Sequence, residues 1–466
     1  MGLGAAMEIG KNGLNIYRIA QEVTGENIAN VNTPGYSRQR VIIETAPPTT
    51  ANGFPMGSGV RIATVERYYD GLLQQQLVNA QTTQGFDTTK SKVLQQIEPS
   101  FNEVNNDGIG TAIADYFTAW QDLTLNPGGT AERQVVLTRA QILTDNFHSV
   151  SKTLNDSISI QNQALVPLTD SINSTLSNIA QLNYQIKTTE LVSGNANEAR
   201  DQRDQLIRDL STKIGITFTE NSDGSTDVMM ADNGAALVVG GAAGSFSLSL
   251  NVTTGMYDVN VTQPGKVAVP VVPVTGELGA TVALRDTIIP GYLAKIDTLA
   301  KSVVDGVNAQ HSIGYSPTGG TGQNFFTPLA AVAGAAGAFS IDAGLTIGTI
   351  AASGNIALPG DNSNALTIAQ LAGAKIVPTG TTTATFNSYY SSFVSTVGLD
   401  VKSSKTTVAQ DEAFTKQLST LRESNSGVSL DEELTNLVKY QRSYQASAKL
   451  ISTATEMLDV LIGMIR

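Results

Sequence analysis

The clearest order in the chain is a run of apolar positions near its C-terminal end: Leu430, Leu434, Leu437, Gln441, Tyr444, Ala448, Ile451, Thr455, Leu458, Ile462 and Ile465 recur at spacings of four and three. That is the heptad period of a helix with one apolar seam, here roughly 55 Å long at ~1.5 Å per residue. Ser429-Leu430-Asp431-Glu432 marks its start as a capping box, with Asp431, Glu432 and Glu433 suited to the positive end of the dipole. The seam continues to the last residue given, so it reads as a face that still needs a partner. A thinner stripe of the same period, Ile9, Gly13, Ile16, Ala20, Val23 and Asn27, predicts a first helix whose small residues admit close approach. The two ends are therefore expected to pair as an α-helical coiled coil. Each helix buries only one stripe, and Gly10, Gly13, Asn15 and Asn27 weaken the first by up to ~1 kcal/mol apiece, so the pair is expected to be marginal in the monomer.

A second seam runs from Phe147 to Ile186 and stays in register through Pro167, which predicts a kinked but continuous helix. After the break Ser193-Gly194-Asn195, residues Asn197 to Ile214 read as the returning arm of a helical hairpin, with Gly215 as its C-cap. Further helices are expected over Leu72 to Ile97 and Ala294 to Gln310. Between Gly215 and Gly276 the period switches to two: Ile216 to Thr219, a turn at Asn221-Ser222-Asp223-Gly224, Val228 with Met230, then Phe246 to Leu250, Tyr257 to Val261 and Val267 to Val274. Such an insert must leave and rejoin the helical part at one place. Gly319 to Thr385 reads as loops with a few short strands and a helix near Leu366 to Leu371. The expected fold is α+β and multidomain: a terminal helical coiled-coil domain over 1–50 plus 421–466, a mainly helical rod over 51–215 plus 276–420, and an inserted all-β domain over 216–275.

Charge narrows the function. Lys+Arg 29 against Asp+Glu 41 gives a net charge of −12, with only 15% charged residues, which leaves no basic footprint for a nucleic-acid backbone. Cysteine is absent and the only histidines are His148 and His311, which argues against disulfides, thiol nucleophiles and Cys/His metal sites, so no metal or cofactor is expected. There is no Sec-type leader pattern and no apolar run near the ~18 residues of a membrane helix, so the expected partners include no membrane. No serine stands in a G-x-S-x-G elbow, and Gly10-Lys11 and Gly265-Lys266 lack the rest of a phosphate loop. Glu103, Asn105, Asp107 and Gly108 imitate a calcium loop whose twelfth position is Ala114, where a carboxylate is required. Tyr116, Phe117 and Trp120 read as core. Asp201, Arg203 and Asp204 read as an ion-pair strip between packed helices, and both histidines as ordinary packing or surface residues. No enzyme is expected.

After the first helix comes Asn30-Val31-Asn32-Thr33-Pro34-Gly35-Tyr36, whose physical content is a helix end and a Pro-Gly type II turn opening an extended segment. This string resembles the N-terminal signature of the bacterial flagellar axial proteins, which build rod, hook and junction, and Ser429 to Ile462 resembles their C-terminal signature. The interior strings Phe117-Thr118-Ala119-Trp120-Gln121-Asp122-Leu123, Asp201-Gln202-Arg203-Asp204-Gln205-Leu206, Ile289-Pro290-Gly291-Tyr292-Leu293, Asn308-Ala309-Gln310-His311 and Asn324-Phe325-Phe326 are similar to the branch of that family at the hook–filament junction. The resemblance implies an extracellular structural subunit, exported unfolded by the flagellar type III system with a dedicated chaperone. It would polymerise with itself at the hook tip and contact the hook protein and the second junction protein. The polymerisation interface would then be Ile9, Ile16, Ala20, Val23, Leu430, Leu434, Leu437, Tyr444, Ile451, Leu458, Ile462 and Ile465, and the signature turn Asn30, Asn32, Thr33, Pro34, Gly35 and Tyr36. Alternatives are another axial protein of hook or second-junction type, a secreted adhesin whose β insert is a binding head on a helical stalk, and a flagellin-type subunit carrying an inserted enzyme.

Overall fold

The computed structural model describes residues 3–51, 54–101, 108–192, 194–358 and 360–464. Helix α1 (Leu3–Ala29) leads through a turn to β1 (Gln39–Thr45); the short hairpin β2 (Thr49–Ala51) and β3 (Phe54–Met56) separates β1 from β4 (Val60–Arg67). Then follow α2 (Gly71–Ile97), α3 (Ile109–Leu123), the long α4 (Thr130–Val192) and α5 (Asn197–Lys213). Strands β5 (Ile216–Glu220), β6 (Thr226–Met230), β7 (Ala236–Val239), β8 (Ala242–Ala243), β9 (Ser245–Leu250), β10 (Tyr257–Thr262) and β11 (Ala268–Pro270) come next. Helix α6 (Gly276–Ala283) passes through a π-helical segment, Leu284–Ile288, into α7 (Ile289–His311). The chain ends with α8 (Ala335–Ala338), α9 (Ser363–Gln370), the hairpin β12 (Val377–Thr379) and β13 (Thr382–Ala384), α10 (Phe386–Ser426) and α11 (Leu430–Gly463). The fold is α+β, predominantly helical with small antiparallel sheets.

Two compact units divide the chain. The first comprises Met1–Phe86, Pro167–Glu277 and Gln410–Arg466, and the second Asp87–Val166 and Leu278–Ala409. In the first, β1 pairs antiparallel with β4 across a bulge at Ile42/Ile43. Strands β5 to β8 form a four-stranded meander, and β9 to β11 a three-stranded sheet with β11 at its edge, where Pro270 removes no ladder bond that a central strand would need. Asn183 of α4 is fully buried and stitches this region to the helix: its Nδ2 donates to Thr226 O at 2.7 Å and Gly240 O at 2.8 Å, and its Oδ1 accepts from Thr226 N at 3.0 Å. Asn173 does the same for Phe246, both donating and accepting. The strands start and finish at one point, because Gly215 N donates to Thr275 Oγ1 at 3.2 Å and a Cβ on Gly276 (φ 66°) would lie 2.7 Å from Ile214 N.

The second unit is organised around aromatic side chains. Tyr116 and Trp120 of α3 pack on Phe325 at ring distances of 5.7 and 5.5 Å, and Phe326 meets Phe339 at 4.7 Å. Asn308 fixes the loop that carries Phe325 and Phe326 by accepting from both their amides at 2.9 Å. His311, the last residue of α7, is completely buried; its Nδ1 sits 2.8 Å from Gln323 O and its Nε2 accepts from Ala351 N at 2.9 Å. These two bonds require the neutral ring protonated on Nδ1, and burial lowers the pKa to about 4.

Some local expectations need correction. Ser429 is the N-cap of α11 yet makes no side-chain cap bond, and Glu432, the other half of the expected box, turns its carboxylate to Arg38 at 2.6 Å. Helix α5 ends with Ile214 in extended backbone, so Gly215 is not a left-handed cap; it is required instead by the close approach of Thr275, whose Oγ1 a Cβ would meet at 2.2 Å. The antiparallel pair β1/β4 was not expected. Helix α4 begins at Thr130, well before Phe147, and continues through Pro167. Ser193 of the hairpin break, Glu103, Asn105 and Asp107 of the calcium-loop imitation, and Ile465 of the seam lie outside the described residues.

Candidate assembly interface

The terminal helices do pack together. On α1 the buried positions are Gly10, Gly13, Ile16, Ala20, Thr24 and Asn27, while Ile9 and Val23 flank them half-buried. The glycines allow the approach: a Cβ on Gly10 would come 2.6 Å from Ile451 Cγ1, and one on Gly13 2.6 Å from Ser447 Oγ. Further along, Tyr17 stacks on Tyr440 at 6.4 Å. The face that α11 turns to α1 therefore contains Glu433, Tyr440, Ser447, Ile451, Ala454 and Leu458. That face is rotated from the sequence seam by roughly 40° at ~100° per residue, so the two share Ile451 and Leu458. Of the expected residues, Leu437, Ile451 and Leu458 are half-buried, whereas Leu430, Leu434, Tyr444 and Ile462 are exposed, Leu434 by 52% and its neighbour Val438 by 48%. One flank of the apolar seam is thus covered by α1 and the other is bare.

The signature turn is held from both ends of the chain. Thr33 O accepts from Tyr36 N at 3.2 Å around Pro34-Gly35, with Gly35 at φ 84°, the geometry a type II turn needs. Thr33 Oγ1 donates to Asn30 Oδ1 at 3.1 Å, and Asn32 is exposed. Asn27 uses its whole hydrogen-bonding capacity: Oδ1 accepts from Tyr36 Oη and Gln39 N at 2.9 Å, and Nδ2 donates to Gln39 O at 2.8 Å and Glu433 Oε2 at 3.0 Å. Glu433, 2% exposed although it opens α11, also accepts from Arg38 Nε at 2.7 Å. Arg422 closes the other side by donating to Gly35 O at 2.7 Å.

Helix α5 supplies the second clamp. Arg67 of β4 reaches Asp201 Oδ1 and Asp204 Oδ2, both at 2.7 Å, with all three side chains buried, and Asp201 Oδ2 accepts from Ser37 N at 2.7 Å. Burial works against the Arg67 charge, but Asp204 and Asp201 together outweigh it and raise the pKa. Burial lifts Asp201 above the ordinary carboxylate range despite Arg67. The strip expected between helices is instead a two-carboxylate grip on a strand arginine. Arg203 lies beside it, its Nε 3.7 Å from Asp204 Oδ1, while its other end donates to Gly224 O at 2.6 Å. Burial, with Glu26 and Asp201 nearby, pushes the Tyr36 phenol up, so it stays a neutral donor to Asn27.

The geometry joins three stretches far apart in sequence, and the same stretches are matched by known families. The family described as the flagellar hook-associated protein FlgK helical domain matches residues 94–326, half of the chain. The chain belongs to the FlgK family of flagellar hook-associated proteins. The family described as flagella basal body rod protein matches 7–36, which is most of α1 and its turn. The C-terminal family of flagellar basal body rod FlgEFG proteins matches 422–464, which is α11 and its approach. Among relatives, the Flagellar hook-associated protein 1 of Bacillus subtilis (strain 168) is 26% identical, covering 98% of this chain and 97% of that protein. Its namesake from Escherichia coli (strain K12) is 27% identical over 97% of this chain and 98% of its own. A solved structure of the flagellar hook junction protein FlgK from Burkholderia pseudomallei shares the fold, with a TM-score of 0.67 and 18% identity over 76% of this chain and all of that one.

Membership in the FlgK family makes the chain a flagellar structural protein and gives the clamps their place. Arg38, Arg67 and Arg422, which the sequence did not single out, and Glu433, which it marked only as a first-turn acid, are the charged residues that tie the signature turn to α5, α10 and α11. Of the three arginines, Arg38 alone stands beside the signature turn, two residues after Tyr36.

Proposed function

We propose that this chain polymerises at the tip of the flagellar hook and joins hook to filament, acting as a structural subunit with no catalytic role and no cofactor. The observation that carries the reading is the bare flank of α11, where Leu430, Leu434, Val438, Tyr444 and Ile462 are exposed beside a flank already covered by α1. Several large apolar side chains on one helix face are costly to leave in water and mark a surface for other chains. In this reading the partners are further copies of the chain, the hook protein on one side and the second junction protein on the other. Terminal residues 1–50 and 421–466 would form the polymerising domain and 51–215 with 276–420 the rod. Residues 216–275 would be carried on the outside of the assembly; the adjacency of Gly215 and Thr275 supports this, because a segment with touching ends can protrude without interrupting the helices. Export would run through the flagellar type III channel to the cell exterior with a chaperone on the C-terminal region, and a cysteine-free chain suits threading in the unfolded state.

The test is Leu434→Asp, at a position that α1 does not cover. The purified variant is expected to keep the wild-type circular dichroism and melting curve, while cells carrying it make no filaments and release filament protein into the medium. Normal filament growth in such cells would refute the reading. Ile451→Asp is the wrong probe, because Ile451 packs on Gly10 within the chain and its loss would damage the helix pair itself.

A further inference from the structure

A groove of about 770 Å³ lies between the signature turn and the hairpin of α4 and α5. Pro34, Leu182 and Leu206 supply its apolar lining, and Asn178, Gln181, Gln185 and Gln202 line it with carboxamides. All four of these side chains are exposed, and none makes a hydrogen bond among the described residues. A carboxamide presents an acceptor and two donors, the complement of a peptide group, so a row of them suits main chain without demanding particular side chains. Asn178 to Gln185 spans about 10 Å of helix at ~1.5 Å per residue, which matches about three residues of extended chain at ~3.3 Å each.

Charge selects what the occupant carries. The lining contains Glu198 and Asp201 and neither lysine nor arginine. Asp201 is answered by Arg67, but Glu198 has no basic partner among the described residues. Glu198, together with burial, holds the neighbouring Glu26 of α1 up at about 6. With a net charge of −12, this chain's own surface complements the groove poorly. We propose that the groove binds an extended segment of another polypeptide that carries an arginine or lysine, its main chain on the carboxamides and its cation on Glu198.

Binding can be read on the dilute full-length chain, so the outcome is separate from whether the chain assembles. The probes are a fluorescein-labelled pentapeptide with one arginine flanked by glycine and threonine, and the same peptide with glutamate replacing arginine, followed by fluorescence anisotropy. The arginine peptide is expected to bind at least tenfold more tightly. Glu198→Gln should remove most of that preference, and the pair Gln181→Ala with Gln202→Ala should weaken both peptides at least threefold while leaving the preference intact. These side chains are exposed, and circular dichroism checks that the variants fold. Equal affinity for the two peptides, affinities unchanged in both variants, or no saturable binding up to millimolar peptide would each overturn the proposal.

Discussion

At the residue scale, the molecule's polar interior is its most sensitive part. Arg67 is 6% exposed between Asp201 and Asp204, so Arg67→Ala leaves Asp201 buried without an ion-pair partner and Asp204 with only Arg203 at 3.7 Å, and should cost about 3–5 kcal/mol in denaturant unfolding. Arg67→Lys should recover only part, because an ammonium cannot reproduce the guanidinium fork. A variant within 0.5 kcal/mol of wild type would mean that the grip contributes nothing. His311 gives a pH signature. Its folded pKa is depressed to about 4 from an ordinary 6.5, so the unfolded chain takes up the proton first, and stability is lost as pH falls from about 6.5 to about 4 and is unaffected above. A shift of that size corresponds to roughly 3 kcal/mol across the window. Glu26, raised to about 6, works in the opposite direction, so the comparison is with His311→Gln, whose stability should fall less steeply by about one proton. Parallel curves for the two proteins would contradict the assignment. Little of this network is legible in sequence: Asp201 and Asp204 look like any helix surface pair, and the arginine that buries them lies 134 residues away from Asp201.

At the element scale, periodicity located α1, α2, α5, α7 and α11 closely, because a stripe of apolar residues every three or four positions needs a helix whatever it packs on. It did not give the face. The seam of α11 is defined by its largest side chains, but the contact with α1 is defined by its closest approach, and that falls where Gly10 and Gly13 meet Ile451 and Ser447. Strands β1 and β4 escaped notice because apolar residues do not alternate in them: Val41, Ile42 and Ile43 are consecutive across the bulge at Ile42/Ile43, and Ile62 and Val65 stand three apart. The helix pair buries one narrow stripe, so amide hydrogen exchange on dilute monomer should find weak protection across α1 and over Leu437 to Leu458, and strong protection in α4. Strong protection of Leu437 to Leu458 without a partner would show that the pair is stable alone. Gly13→Leu should separate the helices outright, seen as lost helical signal, since a Cβ alone already falls within 2.6 Å of Ser447 Oγ.

At the scale of the whole molecule, the strands from β5 to β11 and the terminal helices have different roles in the assembly reading. Replacing 217–275 by a short Gly/Ser linker should preserve export and at least partial filament growth, because the ends already touch and a short linker adds little closure entropy. A stable, secreted deletion that cannot join hook to filament would place subunit contacts in those strands. The turn between Gly215 and Gly276 was readable as a return to one place, since a segment with period two inside helical sequence has to close on itself. What surrounds α11 was not, because its second flank is exposed among the described residues. The absence of cysteine makes the decisive measurement clean: Leu434→Cys and, as an outer reference, Val252→Cys (93% exposed in the wild-type chain) can each be labelled with a maleimide in purified monomer and in hooks isolated with the filament removed. Both should react in the monomer, and in the isolated hooks only the cysteine at position 252 should still react. Equal labelling at position 434 in monomer and hooks would contradict it.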